Sequence, residues 1–452
     1  MWVIFSYLTV VLLSILIFQA LGLKFIGKGA NPFGMFFSIN IFLISLPGML
    51  MVYSKQYETL LNVGIFSVPD IVIDYVAISY FYSLVVILLL LISACIIFKG
   101  FTVPKVAANS IYGALIHKAA MYKFINIAIL LNLFFLLCLF YKVGLNRLPL
   151  LALINGDIFY AQILKAQLIT GDIAKLPESV NQIFRILVPL TAYTSLHLRL
   201  ISNAKKSYRW QLYISVFLAF LFYTYDIQKA PFFTFSFGIF FLYMFHRGAS
   251  FKLFIFLPIL FILLLGINLL YFDIEFSDID IGFEKVMTRL IIMQNQGMFY
   301  IVDNITPSYE YLKNGMILSS YVFDKIPVPA DAKVMEILYG YSEANVNMNT
   351  YFLGQAYSIG GTLGILISPL IIGSHLALYL LFFKIVYLKN SDFFLPLSIV
   401  FYLFFIPINQ GFNTFLYGRN VIFFLIFSGL IYGLFLSMRT LTKKRFTEKI
   451  IE

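Results

Sequence analysis

Long apolar runs recur along the whole chain and are separated by polar segments. An α-helix needs about 20 apolar residues to cross ~30 Å of hydrocarbon, and the longest runs reach that length. The pattern predicts an all-α, multi-pass membrane protein whose residues 1–452 form a single integral membrane domain. The eleven predicted spans are 2–23, 32–53, 75–98, 124–141, 183–202, 210–226, 231–246, 253–272, 353–383, 392–409 and 420–437.

The amino-terminal run is predicted to be a retained span. Its first charge is Lys24, so it lacks the basic segment that precedes the apolar core of a cleaved signal peptide. Cys95 and Cys138 each lie inside an apolar run and have no neighbour at the spacing of a zinc site or a redox pair. We therefore expect no disulfide and no structural metal.

Basic residues fall on alternate connections between the predicted spans. Those connections hold 19 Lys and Arg against three acids, whereas the rest of the chain holds 13 against 18. The positive-inside rule assigns the basic connections and the carboxy terminus to the cytoplasm and the amino terminus to the outside. The net charge of +11 thus reflects topology, and nucleic-acid binding is disfavoured because it requires basic residues on one exposed face.

The outer connections include 54–74, 142–182 and 273–352. The last joins spans eight and nine, and loops of that length usually carry function. Within it, residues 276–305 show apolar positions at helical spacing, which predicts an amphipathic helix on the membrane surface or capping the bundle. We find no internal repeat of the kind that marks many secondary transporters.

All four histidines lie in the inner half of the predicted topology, so chemistry on the outer face must rely on carboxylates, tyrosines, arginines and lysines. They are His117, His197, His246 and His375. A histidine-ligated metal site on the outer face is thereby excluded. The chain also lacks a GxxxxGK[ST] loop, so nothing indicates nucleotide coupling, and we expect no cofactor.

Fixed cations on the outer side are the first candidate chemistry. The short connection "YTYDIQKAPFF" contains Asp226, Gln228 and Lys229 at the mouth of the bundle. Lys229 is either an interfacial lysine paired with Asp226 or a fixed positive charge for an anionic ligand.

Arginines on the outer side run against the positive-inside tendency, and each has the planar fork of donors that matches phosphate oxygens. Arg289 is the only arginine of the long outer loop, and Arg419 lies where span eleven begins; Arg147 and Arg185 lie near the outer ends of spans four and five. The alternative for Arg289 is the polar face of an amphipathic helix.

The stretch "YGYSEANVNMNTYFLGQAYSIGG" is the second candidate. Glu343 and the alternating Asn345, Asn347 and Asn349 favour an extended segment with paired donors and acceptors for sugar hydroxyls, and Tyr351 adds a stacking face. The alternative is that Asn349 or its neighbour Thr350 simply caps span nine.

Together these features resemble the bacterial O-antigen polymerases, the Wzy-type enzymes that join lipid-linked oligosaccharide repeat units. The resemblance covers the architecture of about eleven spans with a large outer loop in the carboxy-terminal half. It also covers the turn "QKAPFFTFSFGIFF", similar to a Gln-Lys-x-Pro-Phe turn, and the segment "ANVNMNTYFLGQAYSIGGTLGI", similar to an Asn-rich run that leads into a late span.

The resemblance implies a GT-C-like glycosyltransferase bundle in the bacterial inner membrane, acting at the periplasmic face in lipopolysaccharide or similar polysaccharide biosynthesis without metal or nucleotide. The donor and acceptor would both be linked to undecaprenyl pyrophosphate, and a chain-length regulator would be a partner. Arg289 would bind pyrophosphate, and Glu343, or otherwise Asp226, would be the general base. The expected substrate-binding residues are Lys229, Arg419, Gln228, Asn345, Asn347, Asn349 and Tyr351.

Three alternatives remain open at this point. A lipid-linked oligosaccharide flippase would share the hydrophobicity and the isoprenoid substrate, although transporters place charges inside their spans and have short loops. An O-antigen ligase is the nearer enzymatic alternative, and the missing outer histidine argues against it. A structural protein that recruits partners through its long loop is the third.

Overall fold

In the computed structural model, the described part of the chain is all-α and contains no strand. The described residues are 2–25, 27–53, 68–101, 111–173, 176–201, 208–248, 294–316, 319–340, 348–406 and 411–451, with the single positions 262, 266, 283 and 288. The helices of eight or more residues are α1 (Trp2–Ala20), α2 (Pro32–Tyr53), α3 (Asp70–Ile97), α4 (Ile111–Val143), α6 (Ile158–Thr170), α7 (Glu178–Ile201), α8 (Arg209–Thr224), α9 (Lys229–Arg247), α10 (Gln296–Asn304), α12 (Ala330–Tyr339), α13 (Tyr351–Phe404) and α15 (Arg419–Ile451). Shorter helices are α5 (Pro149–Ile154), α11 (Ser319–Val322) and α14 (Phe412–Tyr417).

The fold contains helices that can span a membrane. Five described helical stretches are long and apolar enough to cross a bilayer: Pro32–Tyr53, Asp70–Ile97, Ile116–Val143, Tyr351–Leu388 and Arg419–Lys444. Shorter apolar helices are Tyr7–Ala20, Ile158–Ile169 and Asn390–Phe404. The chain is therefore an all-α membrane protein, and the number of eleven spans stays a prediction.

Side-chain contacts define two ends of the bundle. At one end the chain reaches Phe405, whose ring lies 5.9 Å from Arg185 Cζ and 5.0 Å from the ring of Phe424 near the start of α15. We call this the arginine end. At the other end His117, near the start of α4, contacts Asp392, and we call it the histidine end. Among the described basic residues of the predicted cytoplasmic connections, Lys28 and Arg247 lie at the histidine end, close to His246.

Helix α13 is divided by two breaks, and the second reverses the chain at the histidine end. Asn390 has extended backbone angles (φ −162°, ψ 87°). Residues on either side of it then pair as in a hairpin: Tyr387 donates a hydrogen bond to Ser398 at 2.6 Å, and the rings of Phe383 and Tyr402 lie 5.4 Å apart. The return segment 391–404 thus runs from the histidine end towards the arginine end.

The first break, at Gly361, also reverses the chain, so the predicted span 353–383 is divided. Gly361 has φ 58° and ψ −138°, a backbone conformation that strongly favours glycine. A Cβ atom on Gly364 would lie only 2.0 Å from the carbonyl oxygen of Ala356. In a continuous helix these residues would be separated by about 12 Å along the axis. Segment 351–360 is therefore folded back against the helix that follows it.

The folded-back segment 351–360 enters the bundle along α3. The ring of Tyr357 lies 6.4 Å from that of Tyr75, and the ring of Tyr351 lies 5.2 Å from that of Tyr80. Tyr75 also donates a hydrogen bond to Thr362, just past the turn. Because Tyr80 is about 15 Å along α3 from its start, Tyr351 lies well below the turn at Gly361. Segment 351–360 is thus a re-entrant helix.

The helix predicted over 276–305 is described only from Gln294 onwards, apart from Phe283 and Thr288. That part does not lie on the surface of the protein: α10 is buried from Gln296 to Ile301, and it packs against the re-entrant helix, where Gly354 approaches Met298. In the second predicted outer loop, α5 and α6 form a small core of their own against the ends of α4 and α8.

The reversal at Gly361 predicts a sharp difference between two neighbouring glycines. Gly364→Ala should lower the free energy of unfolding by about 1–3 kcal/mol, because the added methyl group meets a backbone oxygen that cannot move aside. Gly360→Ala is the control, since no atom lies within 4 Å of its added Cβ. Thermal unfolding in detergent measures both variants, and equal stability of the two would contradict the reversal.

Candidate functional site

A group of polar side chains lies inside the bundle where the re-entrant helix begins. Its residues come from α2, from α3, from the segment around the start of α10 and from the segment around the start of α13. We call it the polar centre, and its members are Ser45, Tyr80, Asn295, Gln296, Asn349 and Tyr351. Polar groups placed inside a membrane bundle are costly and mark functional sites, so this is the principal candidate.

The α2 side of the polar centre is locally irregular. Residues Ser38–Ser45 wind as a π-helix, a form that occurs mostly at functional sites. Ser45, the last of them, donates a hydrogen bond from Oγ to Asn295 Oδ1 at 3.2 Å, and Asn295 Nδ2 donates to the Ser45 carbonyl at 2.8 Å. Both residues are fully buried. This reciprocal pair ties the segment before α10 to α2.

A close backbone approach joins the two segments that come from the long predicted loop. The Gly297 amide donates a hydrogen bond to the Asn349 carbonyl at 2.9 Å. A Cβ atom on Gly297 would lie 2.7 Å from that same oxygen and 2.8 Å from Thr350 Cγ2, so only glycine allows this contact. The contact fixes Asn349 beside Gln296.

Two tyrosine hydroxyls in the polar centre make no hydrogen bond of standard geometry among the described residues, although Ser45 lies close to one and Ser83 close to the other. They belong to Tyr80 and Tyr351, both fully buried, and the Gln296 Oε1 atom is in the same condition. Tyr351 also has φ +46°, a conformation that costs a non-glycine residue about 1–3 kcal/mol. Buried polar groups normally have partners, and unsatisfied or strained ones concentrate at binding sites.

Asn349 opens the polar centre to its surroundings. Its side chain is exposed although Met348, Thr350 and Tyr351 are buried, and its Nδ2 donates a hydrogen bond to Gln294 Oε1 at 3.1 Å. Thr350 makes no side-chain capping bond to the helix, so the simple capping alternative finds no support at that residue. The ring of Tyr351 packs against Tyr80 and is fully buried, so it is not open for stacking on a ligand in this structure.

Two exposed arginines lie at the arginine end. Arg185 extends over Phe405, and Arg419 lies five residues before Phe424, whose ring contacts the same Phe405 at 5.0 Å. Five helical residues span about 7.5 Å, so Arg419 lies beyond this aromatic contact on the arginine side. The two guanidinium groups therefore belong to one end of the bundle.

The turn between α8 and α9 belongs to the same end. Asp226 Oδ1 accepts a hydrogen bond from the Gln228 amide at 3.1 Å, and Lys229 is the first residue of α9. Tyr223, three residues before Asp226, stacks on Phe404 with ring centroids 5.4 Å apart. Burial, followed by the carboxylates of Asp226 and Glu178, raises the pKa of Tyr225 above its ordinary value, so its phenol stays protonated at neutral pH.

Hydrogen bonds connect the arginine end to the re-entrant helix. Gln355, on the re-entrant helix, accepts a bond from the Asn413 amide at 2.7 Å. Asn413 in turn donates from its side chain to the Tyr311 carbonyl at 3.0 Å. Because α14 carries Asn413 and leads directly into Arg419, the polar centre and Arg419 are linked through one short helix.

The structure places only part of the predicted site. Arg289, Glu343, Asn345 and Asn347 lie outside the described residues, as does the side chain of Lys229. Asn349 and Tyr351 meet in the polar centre, whereas Asp226, Gln228 and Arg419 lie at the arginine end.

Four residues of the polar centre were not predicted from the sequence: Ser45, Tyr80, Asn295 and Gln296. The "QNQG" motif of Gln294–Gly297 contains the sequence signal for two of them, because three amides in an otherwise apolar run are unusual inside a bundle. Comparisons with protein-family models, with curated proteins and with solved structures returned no match for this chain.

The reciprocal Asn295–Ser45 pair predicts a large effect from a small deletion. Asn295→Ala should lower the free energy of unfolding by about 1–3 kcal/mol, because it leaves buried Ser45 groups unpaired. Asn304→Ala, at the other end of α10, is the matched control, since that side chain is exposed and bonds only within its own helix. Chemical denaturation in detergent distinguishes them, and a neutral Asn295→Ala would argue against a tightly held centre.

Proposed function

We propose that this protein polymerises oligosaccharide repeat units carried on undecaprenyl pyrophosphate, by glycosyl transfer at the periplasmic face of the bacterial inner membrane. The observation that carries the proposal is the polar centre, with its unpartnered hydroxyls, beside a re-entrant helix that is linked to Arg419. This arrangement suits a substrate with a polar sugar, an anionic pyrophosphate and an apolar lipid tail.

The proposed reaction sets three requirements. A sugar hydroxyl of the acceptor attacks the anomeric carbon of the donor, while the bond from that carbon to the pyrophosphate breaks. Negative charge builds on the leaving pyrophosphate, so fixed cations must lie near it. The attacking hydroxyl must lose its proton to a base within hydrogen-bonding reach. The sugars must also be held in register by neutral hydrogen-bonding groups.

The polar centre supplies neutral groups for sugars. Amide and hydroxyl side chains pair with sugar hydroxyls as both donors and acceptors. In the free protein, Tyr80, Tyr351 and Gln296 each have an atom without a partner among the described residues. A bound sugar would satisfy these atoms, and Asn349 lies where it would enter. Preorganised donors and acceptors of this kind give orientation rather than large affinity.

The arginine end supplies cations for the pyrophosphate in this proposal. Arg185 and Arg419 are permanently charged and exposed, and the proposed principal ligand, Arg289, follows Thr288, which is buried. Lys229 at the start of α9 is a further cation. Glu343 is the proposed general base and Asp226 the second choice, although one oxygen of Asp226 already accepts the Gln228 amide.

The proposed orientation follows from charge. The described Lys and Arg of the histidine end include Lys24, Lys28, Lys99, Lys118 and Arg247, which the positive-inside rule assigns to the cytoplasm. The polar centre and the arginine end then face the periplasm. Lipid-linked repeat units would reach the site from the outer leaflet.

The proposal predicts that the purified protein, given lipid-linked repeat units in liposomes, makes a ladder of polymers without nucleotide or divalent metal. Gel electrophoresis of labelled glycans would show the ladder. Transfer of glycan only to lipid A core would favour the ligase alternative. Movement of intact substrate across the bilayer without a ladder would favour the flippase, and either result would overturn the proposal.

Tyr351→Phe tests the polar centre within that assay. The change removes one oxygen that has no partner among the described residues, so stability should be unchanged while ladder formation falls about tenfold, the loss of one hydrogen bond to the substrate. Tyr402→Phe is the matched control, because Tyr402 is also buried with an unpartnered hydroxyl but packs against Phe33 and Phe36. Equal activity of both variants would remove Tyr351 from the site.

A further inference from the structure

Two of the four histidines contact Asp392 at the histidine end and a third contacts one of those two, and the proposed reaction uses none of them. His117 Nε2 lies 3.1 Å from Asp392 Oδ2, and His197 Nε2 lies 3.4 Å from Asp392 Oδ1. His197 Nδ1 lies 2.9 Å from His246 Nε2. The four side chains come from α4, α7, α9 and α13 and form one continuous chain, which we call the histidine chain.

One assignment of protons satisfies every contact of the histidine chain. With Asp392 ionised, each of its oxygens accepts from an imidazole, so His117 and His197 both carry their proton on Nε2. His197 Nδ1 is then an acceptor, and His246 must donate to it from Nε2. All three imidazoles are neutral, and His246 Nδ1 remains as a basic nitrogen on a half-buried side chain.

We propose that the histidine chain is a proton-binding site that is loaded through His246. A proton from water binds His246 Nδ1, and the proton on His246 Nε2 passes to His197 Nδ1. His246 is then neutral in its other tautomer, while His197 is an imidazolium beside the Asp392 carboxylate. The chain gains one proton, keeps each of its hydrogen bonds and acquires an ion pair.

The groups that face the histidine chain act in opposite directions. The Asp392 carboxylate favours loading because it pairs with the imidazolium. Burial of His246 opposes loading most, and repulsion from Arg247, next to His246, and from Lys28, in the connection between α1 and α2, opposes it further. Tyr208, which directly precedes α8, also lies near Asp392. The described residues include no group of three or more His, Cys, Asp or Glu that could hold a metal ion.

The position of Asp392 gives the site a structural consequence. Asp392 lies two residues after the reversal at Asn390, at the base of the return segment 391–404. The far end of that segment carries Phe404, which stacks on Tyr223, and leads to Phe405 beneath Arg185. Loading the histidine chain therefore strengthens the hold of α7 on a segment that reaches the arginine end.

The sign of the pH effect follows from the ion pair. The ion pair between the His197 imidazolium and the Asp392 carboxylate exists only when the site is loaded, so the stability that it adds to the folded protein is present at acidic pH and is lost as the pH rises. Thermal unfolding of the full chain in detergent, measured from pH 5.5 to 8, should show a midpoint that falls as the pH rises. His197→Gln should abolish most of that dependence. His375→Gln is the matched control and should retain it, because His375 lies in α13 outside the histidine chain.

A second measurement detects the tautomers directly. Nitrogen-15 NMR of histidine-labelled protein should show His246 as the Nε2–H tautomer at pH 8 and as the Nδ1–H tautomer at pH 5.5, assigned by comparison with His246→Gln. An unchanged tautomer, a pH-independent wild type, or a His197→Gln variant with the wild-type pH profile would each overturn the proposal. Neither measurement requires a lipid-linked substrate, so this proposal and the proposed polymerase activity succeed or fail separately.

Discussion

The structure depends most on the chain reversal at Gly361. Inside hydrocarbon no water is present to satisfy a free amide or carbonyl, so a membrane helix can stop and turn only where other protein segments surround it. Here α3, α10 and the residues around Pro307 pack against the two arms of the turn. The reversal places the start of α13, with Asn349 and Tyr351, inside the bundle rather than at its surface. The polar centre exists because of this placement.

The polar centre and the two ends of the bundle carry side chains of different chemical types. Neutral hydroxyls and amides lie at the beginning of the re-entrant helix, exposed arginines lie at one end, and titratable imidazoles lie at the other. Charge is costly in hydrocarbon, and the described charged groups that matter for these proposals lie near helix ends. The return segment 391–404 touches both ends, as does α7, which carries Arg185 and His197, so these two segments connect the ends of the bundle directly.

Particular residues show how much the sequence could predict. Apolar runs place α3, α4 and α15 to within a few residues of most of their bounds, because length and hydropathy alone decide whether a helix can span a bilayer. The runs did not reveal the turn at Gly361, since "SIGGTLGI" is as apolar and as compatible with a continuous helix as its neighbours. They also predicted an amphipathic helix over 276–305 on the membrane surface or capping the bundle, whereas α10, within its described part, is largely buried.

The sequence by itself determined that this is an all-α membrane protein, and it predicted a topology in which basic residues cluster on alternate connections and all the histidines lie towards one side. Those conclusions follow from local properties, namely hydropathy, charge and spacing along the chain. Only the tertiary structure decided that Asn295 meets Ser45, 250 positions away, and that His117, His197 and His246 share a chain with Asp392. Such contacts depend on how helices pack and where the chain turns back, and no local pattern encodes either.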